Sequence, residues 1–334
     1  MRAIGDLASF LLSRNQQANL QHVVRSASNA ASTGTAGNQA KHVGGATFEL
    51  SLMDRKITLL DQYAGTIKET EIRVSGMQAS LEKIQTRMGD IVNSLALASQ
   101  LDDPSELTIL SNEAKSAFFD TVNALNTKVA GHHIFSGAAV KTRPLPDGET
   151  LLNTIKSDLA GATTVNDALA ALDTWFETPT GGFDAVAYQG SRSAFVSVAL
   201  GEDTTASIEL RSDDDAFRQV LKSLALAALS EEFLPTQTVS DTKEFMQRAL
   251  GGLASVSDRF SEARASIGLL EATLETVGHE TSFEKSNLQQ QKLKLIGVDQ
   301  FEAISEFEAA QQKLDILYRI AARQGRTSLA EYLR

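Results

Sequence analysis

The chain has no cysteine among its 334 residues. Disulfides, thiolate metal sites and cysteine nucleophiles are therefore excluded. Proline is scarce, with five residues, and none interrupts the long apolar periodicities described below, so helices there are free to run. No apolar run reaches the roughly 18 residues that a membrane helix needs, so membrane insertion is not expected. Positive charge is also short. Thirty-one Lys and Arg face 42 Asp and Glu, a net charge of −11, and a nucleic-acid binder wants a basic face instead. The apolar patch in the first twelve residues is broken by Asp6 and followed by the polar Ser13-Arg14-Asn15-Gln16-Gln17. That pattern argues against an ordinary cleaved signal peptide and leaves export, if any, to a dedicated machine.

Groups suited to chemistry are few. His132-His133 lacks the i, i+4 spacing and nearby carboxylate of a metal motif and reads as a solvated helix end. Asp213-Asp214-Asp215 lacks the ordered ligand spacing of a calcium loop and reads as a helix start, with Asp215 as the cap. Gly34-Thr35-Ala36-Gly37 has neither the preceding strand nor the following Lys-Ser/Thr of a phosphate loop. No Ser/His/Asp arrangement emerges from five scattered histidines. Neither catalysis nor a cofactor nor a metal is expected.

The chain does carry long apolar seams. Leu253, Val256, Phe260, Ala263, Ile267, Leu270, Leu274 and Val277 alternate steps of three and four, the a/d seam of a left-handed coiled coil. The seam runs on through Leu288 and Leu295 until Gly297, which costs about 1 kcal/mol in a helix interior. Ile57, Leu60, Ala64, Ile67, Glu71 and Val74 keep the same spacing. After one three-residue stammer it resumes at Met77, Leu81, Ile84, Met88, Ile91, Leu95 and Ala98. As helices, residues 57–98 and 253–295 would each span roughly 60 Å. Equal seams at opposite ends of the chain predict that the termini pair and the middle loops out. The predicted rod core includes Ile57, Leu60, Ile84, Ile91, Phe260, Ile267, Leu270 and Leu274.

Two end helices flank these seams. Residues 1–31 carry Leu7, Leu11, Leu20, Val24, Ala27 and Ala31. The last helix carries Ile304, Phe307, Gln311, Leu314, Tyr318 and Ala321, then the apolar tip Leu329, Tyr332, Leu333. A third rod helix, capped by Ser105, is expected from Leu107 to Val129 and to end at Gly131. Between 138 and 240 the pattern predicts two short helices over 149–177. A three-stranded meander from segments 185–188, 194–200 and 206–210 follows, and then a helix from Asp215. An Asp241/Glu244 capping box is expected to launch the returning helix. The expected fold is mainly α: an antiparallel long-helix bundle or coiled coil from both chain ends, with a small α/β insert. Its parts are 1–45 with 297–334, 46–137 with 241–296, and 138–240. At 334 residues such a division is expected. The end helices keep apolar faces the rod cannot cover, so those faces should bury against neighbouring copies. Leu20, Val24, Ala27, Ile304, Phe307, Leu314, Leu317, Tyr318 and Leu333 are the expected contacts.

Several motifs resemble the bacterial flagellin family, most of all its hook–filament junction members. They are Ile296-Gly297-Val298-Asp299, Glu302-Ala303-Ile304, Ala309-Ala310-Gln311 and the ending Thr327-Ser328-Leu329-Ala330-Glu331-Tyr332-Leu333. To these add Gly131-His132-His133-Ile134-Phe135-Ser136-Gly137, and Tyr188-Gln189-Gly190 leading to Asp213–Phe217. Residues 33–45 stand where the family carries Asp-Asp-Pro-Ala. The resemblance implies a structural, non-enzymatic role in an extracellular flagellum, after unfolded export through the flagellar type III apparatus. It implies partners too: other copies, neighbouring hook-associated and flagellin-type subunits, and a cytosolic export chaperone on the C-terminal helix. Flagellin itself and a generic coiled-coil scaffold or adhesin are the alternatives.

Overall fold

The computed structural model describes residues 2–98, 100–193 and 197–332, with side chains from 11 to 323 within them. The fold is mainly α. In chain order the elements are α1 (Arg2–Thr33), α2 (Gln39–His42), α3 (Thr47–Ala98) and α4 (Pro104–Leu125). Then come β1 (Lys128–Val129), β2 (His132–His133), α5 (Gly148–Asp158), α6 (Val165–Glu177) and a π-helical turn (Phe183–Ala187). The rest are β3 (Val198–Ala199), β4 (Thr205–Ala206), α7 (Asp215–Ala228), α8 (Val239–Ile296) and α9 (Gln300–Tyr332). The chain divides into two compact units, 63–281 and 1–62 with 282–334.

In the unit 63–281 most of the predicted seam faces inward, although Ala64 is exposed and Ala263, Leu270 and Val277 are half-buried. Ile67, Val74, Met77, Leu81, Ile84, Met88, Ile91 and Leu95 of α3 are buried, as are Leu253, Val256, Phe260, Ile267 and Leu274 of α8. The stammer falls between Val74 and Met77, both fully buried. Helices α4 and α7 approach closely. Small residues allow it, since Ala114, Ala117, Ala225 and Ala228 are buried and the Ser111 hydroxyl donates to the Ala228 carbonyl at 2.8 Å.

Much of the packing in 63–281 centres on the Phe135 segment. Phe135 packs edge-on against Phe217 at 5.7 Å, and Phe217 against Phe260 at 5.9 Å. The backbone beside Phe135 is bonded on two sides. Ser212 N donates to the Phe135 carbonyl at 2.9 Å, and Ser191 N to the Ser136 carbonyl at 2.9 Å. Gly137 has φ +61°, and a Cβ there would sit 2.4 Å from the Ser191 carbonyl, so the glycine of the Phe-Ser-Gly run is required by the backbone. Arg218 of α7 donates to the Asp213 and Phe176 carbonyls at 2.8 and 3.2 Å and pairs with Asp184 at 2.7 Å. Its guanidinium lies 4.8 Å from the Phe183 ring centroid. Tyr188 donates to the Ser191 carbonyl at 2.9 Å, and burial pushes its phenol up to about 12.

Several local expectations change. Helix α4 ends at Leu125, and a two-residue hairpin takes the place of its expected last turn. Ala130 and Gly131 both have positive φ (49° and 85°), which gives the turn whose twist matches paired strands. The segment expected as strand 185–188 is the π turn, because Phe183 and Ala187, four apart, bury on one helical face. The meander is the two-stranded pair β3–β4, with Val198 opposite Ala206; residues 194–196 lie outside the described residues. Three caps shift. Asp103 takes the bonds expected of Ser105, with Pro104 pre-set at N1. Asp214, not Asp215, accepts from Ala216 N at 3.1 Å. Thr238 and Asp241 form the reciprocal cap of α8. Each time the cap is the residue just before the first helical φ/ψ, not a polar residue inside the first turn.

The unit made of 1–62 and 282–334 is thinner. Its parts of α3 and α8 are stitched by ion pairs: Lys56–Glu284, Lys285–Asp61 and Lys292–Asp54. Such part-exposed pairs contribute roughly 0–1 kcal/mol each. No described helix of either unit is long and apolar enough to cross a membrane.

Candidate assembly surface

The surface starts at two breaks in the helices. Gly34 ends α1 with φ +68°, and Gly297 ends α8, where a Cβ would lie 2.4 Å from the Leu293 carbonyl. The two breaks are joined. Ala36 N donates to the Ile296 carbonyl at 2.8 Å, and Val298 N to the Gly34 carbonyl at 3.0 Å. This antiparallel bridge pairs Thr35 with Gly297. Asp299 then caps α9 by accepting from Phe301 N at 2.8 Å. The Ile-Gly-Val-Asp motif is thus a helix stop, a bridge and a helix start in four residues. A cleft of about 560 Å³ lies beside the bridge, lined among others by Ser26, Ala30, Lys41, His42, Glu302 and Glu306.

From this bridge α9 runs back antiparallel along α1. The contact is built on small side chains: Ala27, Ala30, Ala303 and Ala310 are buried, and the two backbones approach closely. Phe307, Leu314 and Leu317 of α9 and Leu20 and Val24 of α1 flank it, each half-buried. Ile304 and Tyr318 lie one position off this line and remain 45% and 43% exposed. The predicted stripe through Ile304, Gln311 and Tyr318 is therefore replaced by Ala303, Ala310 and Leu317, because a close antiparallel pair selects small residues for its centre. The Tyr318 hydroxyl takes donations from Gln17 and Gln21 at 3.2 and 3.0 Å. Leu333 lies outside the described residues.

A second set of apolar side chains faces outward, beyond those the heptad picked out. Phe301 is 80% exposed, and Ile316, Ile320 and Leu12 are more than half exposed, as is Leu11. Leu11 belongs to the apolar face expected of the first helix; for Leu12, Phe301, Ile316 and Ile320 the only signal in the sequence is size, because they fall off the expected stripes. Outside this surface, the polar clusters are occupied by structural bonds. His133 Nδ1 lies 3.0 Å from the Asn126 carbonyl. Arg211 grips Asp213 through two bonds of 2.8 and 3.3 Å. Burial, with Asp215 and Asp213 adding to it, raises Asp214 above the usual carboxylate range. Among the described residues no three His, Asp or Glu stand where they could hold a metal ion.

No protein-family model matches the chain, and no curated protein does. A solved structure does. It is a Vibrio parahaemolyticus protein provisionally described as flagellar hook-associated, 15% identical, with a TM-score of 0.52 over 75% of this chain and 96% of that one. The chain shares the fold of this provisionally described hook-associated protein. A second neighbour is Bacillus cereus FlgL, 17% identical over 76% of this chain and 100% of that one. Its TM-score of 0.35 carries no argument about the fold.

Proposed function

We propose that the chain is a structural subunit of the bacterial flagellum that joins hook to filament. The observation that carries this is the α1–α9 pair. Its alanine contact holds the two ends of the chain together while Leu11, Leu12, Phe301, Ile316 and Ile320 stay in water. An apolar surface of that kind marks an interaction site. Copies of the chain and related hook-associated and flagellin-type subunits are the partners that would cover it. Leu20, Val24, Ile304, Phe307, Leu314, Leu317, Tyr318 and Leu333 form the assembly contacts in this reading, together with the outward residues, whereas the expected contact Ala27 is taken up by the α1–α9 pair itself. The likeness of fold to a flagellar hook-associated protein supports it. The role is structural and extracellular, reached by unfolded export through the flagellar type III apparatus. A cytosolic chaperone covers α9 before export, since its apolar face would otherwise aggregate.

Deletion of residues 300–334 tests the reading. The truncated chain should keep the unit 63–281 folded and lose self-association. Truncated protein that associates as well as the full chain would defeat it. In the host, loss of the gene should leave hooks without filaments and flagellin in the medium. Absence of filament subunit altogether would point instead to flagellin, and an unchanged flagellum to an unrelated coiled-coil scaffold.

A further inference from the structure

Charge is unevenly laid along α9. Residues 299–308 contain Asp299, Glu302, Glu306 and Glu308 and no base. Residues 313–323 contain Lys313, Arg319 and Arg323 against one acid, Asp315. The helix dipole favours this order, but only within the first and last turns. Glu306, Glu308 and Lys313 lie beyond those turns. Arg319 pairs with Asp315 at 3.7 Å, inside the basic block itself, and no ion pair involves Asp299, Glu302, Glu306 or Glu308 among the described residues. Lys41 and His42 line the cleft with Glu302 and Glu306, and Glu308 is not part of that cleft.

Two parallel copies of α9 packed in register would set like charges side by side. From Glu302 to Lys313, and from Glu308 to Arg319, the displacement is the same eleven positions, about 16 Å at 1.5 Å per residue. The same displacement brings the small Ser305 and Ala309 level with the large, exposed Ile316 and Ile320. We infer that a second copy of this chain docks along α9 in parallel, displaced by about 16 Å, with the acidic block of one copy against the basic block of the next. A displaced parallel contact leaves one block open at each end and so continues from copy to copy. The inference rests on the subunit reading above and deepens it by fixing the partner and its stagger.

Two charge-reversed chains test it: E302K/E308K, and K313E/R319E. Each alone should need about a tenfold higher concentration to assemble at low salt. Their equimolar mixture should assemble like the unaltered chain, because one supplies bases and the other acids. Circular dichroism checks that both are folded. If either misfolds, salt titration of the unaltered chain decides, since screening must weaken the contact. Variants that assemble singly as well as the parent overturn the stagger while leaving the subunit reading intact. So does a mixture that stays dissociated, a closed two-chain species, or assembly indifferent to salt. An unaltered chain that remains monomeric at every concentration defeats the subunit reading instead.

Discussion

In 63–281, Phe135, Phe217 and Phe260 stack edge to face, and Trp175, Phe176 and Phe183 form a second aromatic group. The contiguous buried core, from Ile67 to Leu274, lies wholly within that unit. Among the described residues of 1–62 with 282–334, the buried apolar ones are Ala27, Ala30, Leu50, Leu60, Ile296, Ala303 and Ala310. Charge divides along the same line. The smaller unit holds 14 Lys and Arg and 11 Asp and Glu, and 63–281 holds 17 and 31. Burial of apolar area is the main source of stability, at about 25 cal/mol per Å². One unit can therefore stand on its own core, whereas the other buries four alanines with Leu50, Leu60 and Ile296 and leaves Phe48, Phe283, Phe301, Ile316 and Ile320 exposed. The strongly acidic unit repels its own kind and suits solubility. The nearly neutral one can tolerate close neighbours.

The sharpest way to break the comparison is to empty the larger core. Phe217→Ala should cost about 3–5 kcal/mol in denaturant unfolding of 63–281 and leave exchange in α1 and α9 unchanged. Arg218→Met should cost about 2–3 kcal/mol in the same unit, since Asp184 loses a partner and two carbonyls lose a donor. A thermal melt within 1 °C of the parent would remove Arg218 from the account. At the bridge, Gly297→Ala forces the backbone off the Leu293 carbonyl and should cost about 1–3 kcal/mol, read as faster exchange at the Val298 amide. Leu314→Ala should cost only about 1 kcal/mol in the lone chain, because the residue is half-buried there. It should cost clearly more in assembled protein. Equal effects in both states would mean that α9 meets nothing beyond α1.

Acid gives the smallest separation. Hydrogen bonds hold Asp103, Asp147, Asp167 and Asp241 below the usual carboxylate range, and all four cap helices of 63–281. A carboxylate depressed in the folded state contributes stability that is complete above its unfolded value, near 3.9. That stability is lost as pH falls through the lowered one. Below about pH 4 the larger unit should therefore begin to soften, as melts at stepped pH would register.

Much of the packing of α3 and α8 was legible in the chain. The heptads of α3 and α8 repeat for long enough that a register error would turn every large side chain outward, so their buried residues could be named. The register of α9 was harder to read, because Ile304 and Tyr318 outweigh Ala303 and Ala310 in hydrophobicity. The pair instead selected what lets two backbones approach. The hairpin after α4 depends on two successive left-handed residues. Gly131 announces one of them, but Ala130 gives no sign of the other. Bonds from Ser191 and Ser212 to the Phe135 segment join residues far apart in sequence, and no local pattern encodes them.

Hydrogen exchange of the dilute, unassembled chain tests the division most directly. Amides of α1 and α9 should exchange orders of magnitude faster than those of α4 and α7, and should become protected once the protein assembles. Protection of α1 and α9 in the lone chain equal to that of α4 and α7 would contradict the account, because the thin unit would then need no neighbours.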